Sequence, residues 1–228
     1  HGTTIATNAV LERKLPAGAL LMTEGFTDVL EIGRHFRSEV YANKAEERAL
    51  LIPRGRRYAI AERLRADGTV ERALDADSVR RAAQQAAAAG AKAIAICLLH
   101  AYANPEHEIE AARIVQKELP DAYISCSHAV SPEIREFERA STTVLNALLM
   151  PVVKTYLSKL RGRLADSGIT APVYLVQSNG GVTTPETAGE QPARLLLSGP
   201  AGGARAAEVL SAELGMANLI AVDMGGTS

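Results

Sequence analysis

The sequence contains little cysteine, and this scarcity already excludes one class of protein. Only two of the 228 residues are cysteines, Cys97 and Cys126, and each lies inside an apolar run of strand length. Two isolated thiols exclude the disulfide framework that stabilises small secreted domains. We therefore expect two reduced, structural thiols in a cytoplasmic protein.

Long apolar runs and basic clusters are also absent. No segment approaches the roughly 18 uninterrupted apolar residues of a membrane span. The 25 basic and 26 acidic residues are interspersed and give a formal net charge of −1. Without a basic face or tail, the chain lacks the electrostatic footprint of a nucleic-acid-binding protein. We expect neither a membrane nor a nucleic acid as a partner.

The sequence does show a regular alternation of strand-length apolar runs and helical patterns, which is typical of an α/β protein. Ala66-Asp67-Gly68 predicts a hairpin turn, and Pro151 is expected to kink or divide a long helix. Strands are predicted at residues 18–23, 92–99, 122–126, 172–177 and 219–224, and helices from Asp77 or Ser78, Asn104-Pro105, Ser131-Pro132 and Gly199.

A boundary is predicted near residues 128–131. Before it the elements are short and mixed, and after it helices and strands alternate with glycine-rich turns at the strand ends. We therefore divide the chain into regions 1–130 and 131–228. The chain opens at His1 without an initiator methionine and closes directly after a glycine turn, so we expect a fragment of a longer protein.

The last six residues, Asp223-Met224-Gly225-Gly226-Thr227-Ser228, have the composition of a nucleotide phosphate loop. Glycines let backbone N–H groups approach an anion, and hydroxyls add donors. A carboxylate at a strand end can hold Mg²⁺ through water, which is the role expected for Asp223. An exposed hairpin or a frayed terminus is the alternative interpretation of the same residues.

Two further segments are rich in small residues. Ser198-Gly199-Pro200-Ala201-Gly202-Gly203 begins a helix, where close packing is the preferred interpretation and anion binding the alternative. It is not a Walker loop, because no Gly-Lys-Ser/Thr follows. The opening run from His1 to Asn8 carries hydroxyls and amides that suit a polar pocket. His1 could act as a general acid or base there, although a structural histidine is the preferred interpretation.

The other histidines and one charged stretch give no functional signal. His35, His100, His107 and His128 lack the spacing of metal ligands. A solvated, salt-bridged helix face is predicted for the cluster of Glu133, Arg135, Glu136, Glu138 and Arg139.

Considered together, several segments resemble the hydantoinase A/5-oxoprolinase family in order and spacing. They are HGTTIATNAVLERK, GFTDVLEIGR, SHAVSPEIREFERASTTVLNALL, VQSNGG, LLSGPAGG and DMGGTS. The likeness runs from residue 1 to 228. The residues 30–34, LEIGR, resemble the bacterial hydantoinase A branch more than the 5-oxoprolinase or acetone carboxylase branches.

The resemblance implies part of an actin/Hsp70-like ATPase with two RNase H-like halves and a mixed sheet flanked by helices. It implies ATP and Mg²⁺ as cofactors, with this chain lying between the two phosphate loops. Asp223 would orient the metal or a water. The expected phosphate-side residues are Gly225, Gly226, Thr227, Ser228, Gly199, Gly202 and Gly203, and the expected substrate-side residues are His1, Thr3, Thr4, Asn8, Asn179 and Gly180.

For the intact protein the resemblance implies ATP-driven opening of a cyclic amide such as a hydantoin or 5-oxoproline, together with a hydantoinase B-type subunit or domain. The fragment alone is expected to be inactive. Two alternatives are open: the ATPase subunit of an acetone- or acetophenone-type carboxylase, and a non-catalytic structural or subunit-contact module.

Overall fold

The computed structural model describes residues 1–34, 41, 43, 50–222 and 224. The chain forms two compact units. The central unit is Pro16–Leu148, and the terminal unit combines His1–Leu15 with Leu149–Ser228. The chain therefore leaves the terminal unit after 15 residues and returns to it inside a long helix.

The central unit is built on a parallel sheet with helices between its strands. Its elements are β1 (Gly18–Thr23), α2 (Val29–Ile32), a 3₁₀ turn (Arg54–Arg56), β2 (Arg57–Ile60), β3 (Arg63–Leu64), β4 (Val70–Arg72), α3 (Ala76–Ala88), β5 (Ala93–Cys97), α4 (Glu106–Glu118), β6 (Tyr123–Cys126), α5 (Ser127–Val130) and the first part of α6 (Glu136–Asp166).

The principal sheet has the strand order β2-β1-β5-β6, and every neighbouring pair is parallel. All residues of β1 and β5 are buried, which is why both strands read as continuous apolar runs. The order reverses between β1 and β5. In open parallel sheets this is the place where polar groups beyond the strand ends converge.

Helices α3 and α4 pack against this sheet and bury the apolar core of the central unit. In α3 the buried stripe of Val79, Ala82, Ala83 and Ala86 follows helical periodicity. Asp75 begins the helix by accepting a hydrogen bond from Asp77 N–H at 3.0 Å. Beyond the helix end, Gly90 has a φ of +70°, a conformation that favours glycine.

The terminal unit is mostly helical. Its core contains Ala6, Ala9, Leu149, Val153, Leu157, Leu175, Ala188 and Leu195. Its elements are α1 (Ile5–Leu11), the second part of α6, β7 (Leu175–Val176), β8 (Val182–Thr183), α7 (Pro185–Glu190), a 3₁₀ turn (Pro192–Leu195) and α8 (Ser198–Leu214).

The prediction of an α/β protein is confirmed, but the expected mixed sheet is wrong. The four-stranded sheet is purely parallel, and the antiparallel pairs, β3–β4 and β7–β8, form separate two-stranded sheets. Short connections allow only local antiparallel pairing, whereas the crossovers through α3 and α4 give parallel pairing.

Several sequence-based elements differ from the structure. The strand predicted at residues 172–177 is confined to Leu175–Val176. The long helix begins at Glu136, after the separate short helix α5, and Pro151 lies inside α6 without dividing it. No strand forms over residues 219–222, where Ile220 and Val222 are 89% and 83% exposed. A strand requires a hydrogen-bonded neighbour, and apolar β-branched composition alone does not supply one.

The compact units follow spatial packing, so their limits differ from the regions 1–130 and 131–228, which stay a sequence-based prediction. Within the described part of the chain, none of the helices is both long and apolar enough to cross a membrane.

Candidate functional site

In the terminal unit, the opening segment of the chain lies against the start of α8. Ser198 Oγ donates to Thr3 O at 3.1 Å, and Thr3 N–H donates back to Ser198 Oγ at 3.5 Å. Both residues are buried. These reciprocal contacts join two segments that are 195 residues apart in sequence, and both were predicted to be functional.

The backbones approach closely at the same place. A Cβ on Gly2 would lie 3.8 Å from Gly199 Cα and 3.9 Å from Ser198 O. Leu197, which precedes α8, has a left-handed φ of +58°, and its N–H donates to Thr7 Oγ1 at 3.2 Å. A leucine in this conformation is uncommon, and the hydroxyl of Thr7 helps to hold it.

His1 continues this arrangement along β7. Its amino group donates to Tyr174 O at 2.9 Å, and its carbonyl accepts from Val176 N–H at 3.0 Å. Its ring stacks on Tyr156 with a centroid distance of 6.1 Å, and Nε2 lies 2.6 Å from Tyr156 Oη. The exposed imidazole is therefore fixed in place rather than free to rotate.

Thr4 is the residue that precedes α1, and Asn8 lies within the helix, one turn later. Asn8 Nδ2 donates to Thr4 Oγ1 at 3.4 Å. The other atom of the amide, Asn8 Oδ1, is buried and has no hydrogen-bond partner among the residues described. A buried acceptor without a donor is costly, so a donor that reached this atom would stabilise the arrangement.

Asn179 and Gly180 form an exposed turn of a different kind from the one expected. The sequence predicts a glycine-rich turn at the end of a strand over residues 172–177; in the structure the turn joins the antiparallel strands β7 and β8 into a hairpin. Asn179 Oδ1 accepts from Gly181 N–H at 2.9 Å, and Gly180 has a φ of +79°. The chain returns locally because glycine and asparagine permit this tight turn.

The glycines of α8 have more room than close packing requires. A Cβ on Gly199 or Gly203 would meet nothing within 4 Å in the described structure, and one on Gly202 would make an ordinary 3.7 Å contact with Val176. The preferred sequence interpretation, close helix packing, therefore does not explain Gly199 and Gly203. Open space at a helix start is compatible with the alternative, an approaching anion.

The predicted phosphate loop lies outside the described residues. The structure does not describe Asp223, Gly225, Gly226, Thr227 or Ser228. Their roles stay predictions from the sequence.

The central unit contains buried polar residues that lie outside the motifs predicted from the sequence. Glu62 is 2% exposed; it accepts from Thr23 Oγ1 and lies 2.7 Å from His107 Nδ1. Thr23 Oγ1 in turn accepts from Leu99 N–H at 2.9 Å. This network lies beyond the carboxyl ends of β1 and β5, where the strand order reverses.

Glu108 is the centre of a second network and is fully buried. Its Oε1 accepts from Leu98 N–H at 2.9 Å and from Ser127 Oγ at 2.5 Å. Its Oε2 lies 2.9 Å from His128 N and 2.7 Å from His128 Nδ1. Burial first, and then the charge of Glu108, raise the pKa of the nearby Cys126 thiol far above its usual range.

Arg139 corrects the prediction of a solvated charged face. Its side chain is fully buried and donates to Leu98 O at 2.8 Å and to Glu133 O at 2.7 Å. Its guanidinium also lies 5.5 Å from the centre of the Tyr102 ring. Glu138, in contrast, forms a surface ion pair with Arg34.

A sequence signal for Glu108 existed. Glu108, Ala111 and Val115 share one helical stripe of α4, and all three are buried. Glu108 also lies in the first turn of α4, where an acidic residue suits the helix dipole, so the sequence offers a second explanation for its charge. No comparable local signal identifies Glu62 or Arg139.

Comparison with family models identifies two matches that together cover most of the chain. The model described as hydantoinase/oxoprolinase N-terminal region matches residues 1–119. The model described as hydantoinase/oxoprolinase matches residues 139–228.

Characterised proteins show the same similarity. Caprolactamase subunit alpha of Pseudomonas jessenii is 35% identical over 100% of this chain and 33% of its own length. The crystal structure of the ATP-dependent caprolactamase from that organism superposes with a TM-score of 0.87, at 34% identity over 99% of this chain and 33% of that one. 5-Oxoprolinase 1 of Arabidopsis thaliana is 32% identical over 100% of this chain and 19% of its own length.

A carboxylase has the same fold. The nucleotide-free structure of acetone carboxylase superposes with a TM-score of 0.82, at 28% identity over 94% of this chain and 32% of that one. This chain thus spans about a third or less of the length of each relative.

Proposed function

Because the chain belongs to the hydantoinase/oxoprolinase family, we propose that the intact protein is an ATP-dependent enzyme that opens a cyclic amide. The observation that carries this proposal is the pair of hydrogen bonds between Thr3 and Ser198. Through them the polar opening segment, expected on the substrate side, lies next to the start of α8, expected on the phosphate side.

The residues at the start of α8 fit a phosphate group. Backbone N–H groups in the first turn of a helix have no partner within the helix, and the helix dipole favours an anion there. A Cβ on Gly199 would meet nothing within 4 Å in the described structure, so the backbone is open on that side. In the sequence-based assignment, Asp223 holds Mg²⁺ through water, and Gly225, Gly226, Thr227 and Ser228 complete the phosphate site with Gly199, Gly202 and Gly203.

ATP, when bound, would supply a phosphoryl group to the amide oxygen and so make the ring carbon electrophilic. Water would then add to that carbon, the ring C–N bond would break as the nitrogen takes up a proton, and a second water would release phosphate. The chain's own residues orient the ring. Asn8 Oδ1, a buried acceptor without a described partner, suits the N–H of a cyclic amide. The exposed Thr4 hydroxyl and the imidazole fixed by Tyr156 add polar contacts on the same segment. Asn179 and Gly180 are assigned to the substrate side as well.

The partner proposed for the intact enzyme is a hydantoinase B-type subunit or domain. Relatives include subunits of multi-subunit enzymes, such as caprolactamase subunit alpha. A carboxylase-type reaction is the second candidate, favoured by the superposition on acetone carboxylase. In that case ATP would activate a ketone or bicarbonate instead of an amide.

Phosphate release by the intact protein with its partner distinguishes these functions. We expect release to rise at least tenfold with a hydantoin, 5-oxoproline or a lactam, and not with a ketone plus bicarbonate. Asp223→Ala should abolish this release, whereas Asp121→Ala, an exposed aspartate of the central unit, should not.

Stimulation only by a ketone with bicarbonate would assign the carboxylase-type reaction. Stimulation by neither substrate class would reject both, and an active Asp223→Ala variant would remove Asp223 from the mechanism.

A further inference from the structure

Three side chains with metal-binding atoms meet at one place in the central unit. Glu108 lies in the first turns of α4, Cys126 is the last residue of β6, and His128 lies in α5. Each offers one ligand atom, and these atoms all lie within 4.8 Å of one another. No sequence spacing predicts this group, because the three residues come from three different elements and Glu108 lies 18 residues before Cys126.

The set of atoms is one that zinc-type cations prefer. Zn²⁺ binds thiolate sulfur, imidazole nitrogen and carboxylate oxygen, with bonds of about 2.0–2.3 Å. Ligand atoms around one tetrahedral ion are then roughly 3–4 Å apart. The three side chains therefore need only small rotations to surround an ion.

The surrounding hydrogen bonds orient the carboxylate as in a built metal site. Glu108 Oε1 is held by Leu98 N–H and Ser127 Oγ, both groups that do not belong to the ligand set. Such second contacts fix a ligand's direction and raise metal affinity. Glu108 Oε2 faces His128 Nδ1 at 2.7 Å. Since a carboxylate has no proton to donate, the proton between them belongs to the imidazole.

We propose that Glu108, Cys126 and His128 bind one zinc-type divalent cation, with a fourth position open to water or another ligand. The ion replaces the proton between Glu108 and His128. That proton moves to Nε2 of a neutral imidazole, and the Cys126 thiol releases its own proton to solvent. The ion then joins α4, β6 and α5, in a unit separate from the proposed nucleotide site.

One side of the site is open to solvent, and Cys97 and His107 provide matched control positions outside it. The His128 side chain is 23% exposed, whereas that of Glu108 is fully buried, so an ion enters from the histidine side. Cys97, the only other cysteine of the chain, is buried outside this group of three. His107 likewise pairs with Glu62 and not with Glu108.

The test is titration of the tag-free 228-residue protein with Co²⁺, followed by displacement with Zn²⁺. We expect one equivalent to bind and to produce a thiolate-to-cobalt charge-transfer band. Cys126→Ser should remove the band, and His128→Gln should weaken binding at least tenfold. Cys97→Ser and His107→Gln should retain both the band and the stoichiometry. Circular dichroism shows whether each variant is folded.

If Cys126→Ser does not fold, alkylation of the unmodified protein provides the same answer. Zn²⁺ should then slow modification of Cys126 at least tenfold, as mapped by peptide mass spectrometry. No saturable binding at one equivalent, or a band that survives Cys126→Ser and disappears in Cys97→Ser, would overturn the proposal. An alkylation rate of Cys126 that Zn²⁺ leaves unchanged would overturn the proposal as well.

Discussion

Arg139 shows how much a single residue depends on its surroundings in the fold. On the sequence it belongs to a run of five charged residues on a helix, which is typical of a solvated face. In the structure it is fully buried, and its guanidinium donates hydrogen bonds to the backbone oxygens of Leu98 and Glu133. A buried charge is stable only when such partners are present. Arg139 therefore links the end of β5 to the long helix.

Cys97 gives a prediction at the same scale. Burial raises the pKa of its thiol from 9.0 to about 11. Below pH 9 the thiol is protonated in both the folded and the unfolded protein. Between pH 9 and 11 the unfolded chain loses the proton first, so the free energy of unfolding should fall by up to about 2–3 kcal/mol.

Urea unfolding at pH 8 and pH 10.5 measures this loss. Because other groups also titrate at high pH, the comparison is with Cys97→Ser, whose free energy of unfolding should fall less over the same interval. Equal pH dependence in the two proteins would show that the thiol does not have this raised pKa.

Elements form where local sequence and tertiary neighbours agree. β1 and β5 are apolar throughout and lie at the centre of a parallel sheet, as their sequences indicate. Residues 219–222 are equally apolar but remain unpaired and largely exposed. The difference is that β1 and β5 each have a hydrogen-bonded strand on both sides, whereas residues 219–222 have no neighbouring strand in the described structure.

Gly18, the first residue of β1, tests how tightly this sheet is covered. A Cβ there would lie 2.5 Å from Leu148 Cδ2 and 3.2 Å from the carbonyl oxygen of Ala93. Leu148 can rotate, but the backbone of β5 cannot move freely. Gly18→Ala should therefore lower the free energy of unfolding by about 1–3 kcal/mol.

Gly55→Ala is the matched control, because nothing lies within 4 Å of the added Cβ in the described structure. It should change stability by less than about 0.5 kcal/mol. Chemical denaturation of both variants makes the comparison. Equal stability of the two would mean that β1 tolerates the extra methyl group.

At the scale of the whole molecule, the chain is two compact units and about a third of the caprolactamase subunit that it resembles. The family resemblance is confirmed by the matches over residues 1–119 and 139–228. The RNase H-like halves and the position between two phosphate loops stay implications of that resemblance.

This partial coverage predicts weak nucleotide binding by the 228 residues alone. The resemblance implies that this chain lies between the two phosphate loops and carries only the second of them, so half the phosphate contacts would be missing. Calorimetry with ATP and Mg²⁺ should give weak or undetectable binding, in contrast to the intact protein. A submicromolar dissociation constant for the isolated chain would contradict this expectation.

The sequence by itself determined the α/β class, the central strands and the family, because these depend on local periodicity and on the order of short motifs. It also selected both segments that Thr3 and Ser198 join. Only the tertiary structure decided that the sheet is parallel, that the turn at Asn179 is a hairpin, and that Glu62 and Arg139 are buried. The parallel sheet and the buried side chains depend on contacts between residues far apart in the chain, and no local pattern records which distant groups will share a buried site. The hairpin at Asn179 is local, but its turn residues alone do not specify which strands it joins.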